Sequence, residues 1–235
     1  MKNLYIILIF PFISISQNQD AKPDIYTLFD NIVGLENMGI YNGKEYREKS
    51  NTLDDNHPYF DSSDFLLGSI EYDSQLYFNI SMKYNIYNQE VILKLRKKNS
   101  SETVIKLYND KIGSFTINNR KFINVSLNDD DVYAFYEEVF IDSSFSLLIK
   151  HKKVKKDLYF EGLMYVEYIA AKKEYFIFSD NSHNELNSKK DIANLFPSFK
   201  QNINQFYRDN RLLRKTNYDQ FLTKLLQGLK LTKPK

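Results

Sequence analysis

Between Gly68 and Arg96 the chain reads GSIEYDSQLYFNISMKYNIYNQEVILKLR. In its middle Phe78, Ile80, Met82, Tyr84 and Ile86 alternate with Asn79, Ser81, Lys83 and Asn85. Successive side chains of a strand point to opposite faces, so this alternation specifies a long strand with one apolar and one wet face. Polar breaks at Asp73-Ser74 and Asn88-Gln89 separate it from further apolar runs on either side. The stretch therefore predicts a three-stranded antiparallel meander.

The same rhythm continues downstream. Val104, Ile105 and Leu107 follow a turn at Lys98–Ser101, and Ser114 to Val125 reads as a hairpin about Asn118-Asn119. Val132–Ile141 and Ser144–His151 pair about Asp142-Ser143; Leu158–Ile169 and Glu174–Phe178 are expected to pair about Ala170–Lys173. Upstream, Asn42-Gly43 suits a type I′ hairpin turn, whose two central residues need positive φ. About ten strands with turn signals every 8 to 12 residues indicate a mainly β fold, an antiparallel meander forming a sandwich or open barrel. No intervening segment has the length and periodicity of a crossover helix, which argues against a parallel sheet.

The pattern changes at Ser179. Ile192, Leu195, Phe196, Phe199, Ile203, Phe206 and Tyr207 recur at helical spacing, broken at Pro197. A final helix carries Tyr218, Phe221, Leu222, Leu225, Leu226 and Leu229 in one stripe, with Thr216 or Asn217 as its cap. Arg208, Arg211, Arg214 and Lys215 precede that stripe. Their interleaving with Asp209 and Asp219 favours a helical cap packed on the sheet over a free membrane-type helix. The expected organisation is a signal segment over 1–16, an antiparallel β domain over 17–178 with a short helix at 25–33, and a helical C-terminal segment over 179–235 that belongs to the same domain.

The signal segment rests on Lys2, the apolar run Leu4–Ile15 and the small residues Ser14 and Ser16. That run is shorter than the roughly 20 residues of a spanning helix. No later stretch is apolar enough to span, so no transmembrane segment is expected after cleavage. The chain has no cysteine. Disulfides, thiolate nucleophiles and Cys-based metal sites are thereby excluded, and stability must come from the core. The formal net charge of +2 gives no reason to expect a nucleic-acid partner.

Catalytic signatures are sparse. His57, His151 and His183 stand far apart with no ligand-spaced neighbour; His151 precedes Lys152-Lys153 and reads as solvated. The carboxylate groups Asp54-Asp55 with Asp61 and Asp64, and Asp129–Asp131, lack the glycine and terminal glutamate of a calcium loop. No serine sits in a Gly-x-Ser-x-Gly context, and the seven glycines form no phosphate-cradling loop. No catalytic residue, metal or cofactor is expected. His57, Tyr59 and Phe60, in a His-Pro-Tyr-Phe loop, and Tyr41 are the candidates for a binding site.

Ile40–Tyr46 (IYNGKEY), His57–Phe60 (HPYF), Gly68–Asp73 (GSIEYD) and Tyr77–Tyr84 (YFNISMKY) follow one another as in a group of uncharacterised secreted β-rich proteins of Bacteroidota, which the chain resembles over most of its length after residue 16. Ser188–Asp191 at the start of the helical tail is similar too. The chain departs from the group at Asn85, where Asp is usual, and at Ser74, where Gly is usual. The resemblance implies a location in the Gram-negative envelope, periplasmic or outer-membrane associated, and carries no activity. The expected function is that of a non-enzymatic exported scaffold binding an envelope protein, glycan or lipid. The alternatives are a periplasmic carrier of an apolar ligand in a curved sheet or open barrel, and a hydrolase with a carboxylate site outside the known motifs.

Overall fold

The computed structural model describes residues 38–48, 52, 56–96, 101–125, 133–179 and 182–231. The signal segment, the helix expected at 25–33, Asp54-Asp55 and the Asp129–Asp131 run lie outside the described residues. The expected meander is present. β2 (Leu66–Tyr72), β3 (Gln75–Asn85) and β4 (Glu90–Arg96) are neighbours in one antiparallel sheet, preceded in sequence by β1 (Gly43–Glu45). β5 (Glu102–Leu107), β6 (Ile112–Ile117), β7 (Arg120–Val125), β8 (Ala134–Ile141), β9 (Ser146–Lys150), β12 (Glu174–Ser179) and β13 (Ser182–Glu185) extend it to eleven strands in the order β1-β5-β4-β3-β2-β6-β7-β8-β9-β12-β13. The sheet is open, with β1 and β13 as its edges. β10 (Lys153–Phe160) and β11 (Leu163–Ala170) form a separate two-stranded ribbon inserted between β9 and β12.

The alternation of β3 is interrupted at one point. Gly68 pairs with Ile80 and Ile70 with Tyr77, so an extra residue is accommodated about Asn79, whose φ is 55°. This bulge turns Tyr77 rather than Phe78 into the core. Beyond it Ile80, Met82 and Tyr84 face inward as the alternation requires. Asp73-Ser74 and Asn118-Asn119 take positive φ at their turns, as does Gln89. Asn42-Gly43 does not form the expected hairpin: Asn42 has φ −79° and Gly43 opens β1 against β5. Gly43 is needed there for close approach, because a Cβ would lie 2.7 Å from the Lys106 carbonyl oxygen.

The sheet curls strongly. Tyr84 of β3 meets the rings of Phe115 (β6), Phe122 (β7) and Phe135 (β8) at centroid distances of 5.2, 5.1 and 5.7 Å. β3 and β7 are three places apart, roughly 14 Å in a flat sheet at the usual strand spacing. The Gln89 side chain ties the curl: its Oε1 accepts from Tyr84 Oη at 2.9 Å and from the Phe135 amide at 3.0 Å. Side chains thus draw β3 and β8 together where no ladder joins them.

β9 and β12 bury Phe145, Leu147, Ile149, Tyr175 and Ile177 under the helices. These are α1 (Lys189–Leu195), α2 (Lys200–Asp209), α3 (Arg211–Thr216) and α4 (Tyr218–Leu231). Ser188 and Asp191 form a capping box at α1, Pro197 opens a 3-10 turn before α2, and Asn217 Oδ1 accepts from the Gln220 amide at the start of α4. Ile192, Ile203, Phe221, Leu222, Leu225 and Leu226 are the docking side chains, each contributing about 2 kcal/mol by burial. The amphipathic stripe is therefore a cap on the sheet. Lys173 Nζ and Tyr175 Oη donate to Asp219 at 2.6 and 2.8 Å and fix α4 to β12. Burial would raise the Asp219 carboxyl, but these two donors overcome it and hold it below the usual range.

The last strand pair differs from its expectation. β10 pairs with β11 across Glu161-Gly162, both with positive φ, whereas β12 pairs with β9 and β13. β13 lies beyond Ser179, where the strand pattern of the sequence ends. β10 is rich in lysine and lacks a clean alternation, which hides it from a reading by periodicity.

Candidate functional site

The His-Pro-Tyr-Phe loop binds the sheet to the ribbon. The Phe60 amide donates to Tyr84 O at 2.8 Å and the Ile86 amide to Pro58 O at 2.9 Å. On its other side the Tyr168 amide donates to Asn56 O, Asn56 Nδ2 to Glu167, and Lys153 Nζ to His57 O at 2.6 Å. Pro58 lacks an amide hydrogen and holds His57 extended. His57 Nδ1 then accepts from the Tyr59 amide at 3.2 Å, and its ring stacks on that of Tyr59.

Tyr59 is 1% exposed. Its hydroxyl donates to Glu48 Oε1 at 2.7 Å, so the Tyr46 hydroxyl, 3.1 Å away, donates to it. Burial, followed by these two bonds, pushes the Tyr59 pKa far up. Lys83 Nζ lies over the rings of Tyr59 and Phe65 at 4.7 and 4.5 Å, and burial lowers its pKa. Phe60 is also buried, in edge contact with Phe122 and His151 at 5.0 and 5.1 Å. Tyr41 is not part of this group. Its hydroxyl donates to Arg96 O, at the opposite end of β4 from the strand end that pairs with Asn85. The structure thus brings His57, Tyr59 and Phe60 together as a tether and leaves Tyr41 elsewhere. Asn85 belongs to the tether: it is buried, bridges to Tyr59, and accepts from the Asn88 amide through Oδ1.

His151 is 7% exposed, not solvated. Its Nε2 lies 2.5 Å from Glu137 Oε2, and Arg120 donates to both oxygens of the same carboxylate at 3.2 and 3.3 Å. The rings of Phe60 and Phe122 cover the imidazole. A carboxylate held by an imidazole resembles the base half of a hydrolytic triad, but among the described residues no hydroxyl is bonded to His151. The pair, with Arg120 on the same carboxylate, is a buried polar lock between β8 and the end of β9. Among the described residues no group of three His, Asp or Glu side chains is arranged to hold a metal ion.

Two clefts flank the ribbon. One, of about 670 Å³, lies between its inner face and β1 with the β3–β4 turn; the other, of about 700 Å³, lies between its base and the helices. Several of their charges are paired within the protein: Lys106 with Glu90 at 2.7 Å and Arg47 with Glu45 at 2.8 Å in the first, Lys152 with Glu174 at 2.5 Å and Lys173 with Asp219 at 2.6 Å in the second.

The ribbon itself is the exposed apolar feature. Its register puts Val154, Leu158, Leu163, Tyr165 and Ile169 on one face. Val166 and Tyr168 on the other face are buried, Tyr168 against Tyr87. At the tip Tyr159 is 79% exposed, Leu163 59% and Met164 54%. Lys153, Lys155 and Lys156 along β10 blunt that strand as a pairing edge, which leaves the face as the surface available to a partner. None of these apolar residues was singled out as a binding candidate in the sequence, which reads Leu158–Ile169 as one strand; Gly162 after Glu161 is the turn signal that divides it.

No known family model matches the sequence, no curated protein matches it, and no solved structure matches its fold. No described helix is long and apolar enough to cross a membrane, which leaves open what strands do.

Proposed function

We propose that the protein is an exported, non-enzymatic envelope scaffold, periplasmic or outer-membrane associated, that binds a protein partner through the outer face and the tip of the β10–β11 ribbon. Export is supported by Lys2, the apolar Leu4–Ile15 run and the small residues before Gln17, and the envelope location by the resemblance to secreted proteins of Bacteroidota. The binding role is carried by one observation, the exposed apolar side chains of a ribbon that pairs with no other strand of the sheet: Val154, Leu163 and Ile169 on its outer face, with Tyr159 and Met164 at the tip of the other. Exposed apolar side chains gathered on one element cost solubility and are the usual mark of an interaction surface. A carrier of an apolar ligand would need an apolar cavity; the clefts beside the ribbon are lined by charged side chains of both signs, and the curled sheet is filled by Tyr84, Phe115, Phe122 and Phe135.

The test is affinity isolation from envelope fractions, with mass spectrometry of co-purified proteins and lipids, using the wild type and the Leu163→Asp/Met164→Asp variant. A stoichiometric protein recovered with the wild type and lost with the variant is expected. Recovery of lipid with no protein partner would overturn the proposal.

A further inference from the structure

The helical segment carries a third cleft of a different kind. It is a groove of about 650 Å³ whose lining includes Lys189, Arg208, Arg211, Arg214 and Lys215 around Tyr207. Three of the chain's six arginines converge here, on a protein whose net charge is only +2. None of these five cations makes an ion pair with a described carboxylate. Arg208 donates to Gln205, whose amide nitrogen is bound by Asp209; Asp191 accepts from Ser188 and Asn187 in the capping box. Arg214 and Lys189 instead lie over the Tyr207 ring, at 5.4 and 5.9 Å from its centroid. The clefts beside the ribbon are lined by both signs of charge, several of them paired; this groove is lined by cations with no carboxylate among them.

We propose that this groove is a binding site for a phosphate-bearing headgroup. Like charges gathered around one concavity repel each other, and an anion removes that repulsion. Arginine favours phosphate because its planar fork donates two parallel hydrogen bonds to one anion. A terminal phosphoryl group carries close to two charges near neutrality, against one for a carboxylate, and a phosphodiester lipid surface, with one charge per headgroup, reaches the same density by presenting many side by side. Leu212 lies on the rim and is 77% exposed. An apolar side chain beside a cationic groove is the arrangement by which a peripheral protein meets an anionic lipid surface. The same phosphate chemistry also comes from a soluble phosphorylated molecule. The groove lies on the helices and the ribbon on its own strands, so this site stands or falls independently of the partner-binding role.

The experiment uses the full chain in two arms. In the first, pyrophosphate binding is measured by calorimetry. In the second, co-flotation is compared on vesicles of phosphatidylglycerol and of phosphatidylcholine; the difference between them cancels any insertion by the apolar N-terminal run. The groove variant is Arg211→Gln/Lys215→Gln, which leaves the cations stacked on Tyr207 in place. Lys156→Gln/Lys172→Gln removes the same charge elsewhere. Wild type and control are expected to bind at least one of the two probes, in a manner weakened by salt, and the groove variant to bind about tenfold more weakly with an unchanged melting temperature. Pyrophosphate binding assigns a soluble ligand; flotation on phosphatidylglycerol alone assigns a lipid surface. Failure of the wild type to bind either probe, equal loss in the control variant, or tighter binding of a poly-glutamate peptide than of both probes would overturn the proposal.

Discussion

The His57–Phe60 loop and the β10–β11 ribbon are made of similar residues and end in opposite environments. Both set aromatic side chains beside lysines, yet Tyr59 is 1% exposed and Tyr159 is 79% exposed. In the loop every polar tip has a partner inside the protein: Tyr59 with Glu48 and Tyr46, His57 Nδ1 with an amide, His57 O with Lys153. At the ribbon tip Tyr159, Leu163 and Met164 each leave more than half of their surface to water. An aromatic cluster is evidence of binding when its surface is left over, and evidence of architecture when the fold consumes it.

The comparison breaks most sharply at Phe60. Phe60→Ala removes a ring packed on Phe122, Tyr84 and His151, and a loss of about 4 kcal/mol is expected in denaturant unfolding. A loss below about 1 kcal/mol would mean that the loop is not the tether described. Next comes the lock behind it. Glu137→Ala leaves His151 and Arg120 without their carboxylate, for about 3 kcal/mol. Replacing both partners, Glu137→Leu/His151→Leu, is expected to cost clearly less than the single change, because the buried imidazole is no longer stranded and Arg120, with its side chain 40% exposed, can turn to water. The reverse order would sink the reading of this pair as a lock.

Tyr59→Phe deletes the donor to Glu48 and is expected to cost about 1.5 kcal/mol at neutral pH. The folded state holds the Tyr59 pKa above its ordinary value near 10, so the phenol ionises first in the unfolded chain. Its contribution is complete below about pH 10 and falls as pH rises beyond that. The variant should therefore lose less stability than the wild type between about pH 10 and 12, read from midpoints at each pH. The smallest effect belongs to the ribbon. Tyr159→Ser and Leu163→Ser are expected to leave unfolding free energy within about 0.5 kcal/mol of wild type, since both side chains already face water.

The meander was legible in the sequence because alternation and turn residues agree there: Asp73-Ser74 and Asn118-Asn119 take positive φ where their identities invite it. The helical cap was legible for the same reason, with Asn217 capping and Pro197 breaking as their chemistry requires. The Asn79 bulge was not, since one extra residue within a strand leaves no mark on composition. The ribbon was misassigned because lysines occupy apolar and wet positions of β10 alike. His151 was hidden by its neighbours Lys150, Lys152 and Lys153. Its burial follows from the β8–β9 register, in which Glu137 faces Ile149 two residues before it, and that register exists only once the strands pair. Of the four binding candidates, three do meet, but whether a loop aromatic is consumed or left over is settled by distant partners such as Glu48 and Lys153.

The division of labour between loop and ribbon is tested most directly by site-specific photocrosslinking in intact envelopes. A photoreactive residue is placed in turn at Leu163 on the ribbon and at Leu67 of β2, which is 70% exposed but stands apart from the ribbon cluster. A discrete protein adduct at Leu163 and none at Leu67 is the result this account expects. No adduct at Leu163, or the same adduct at both positions, would contradict it.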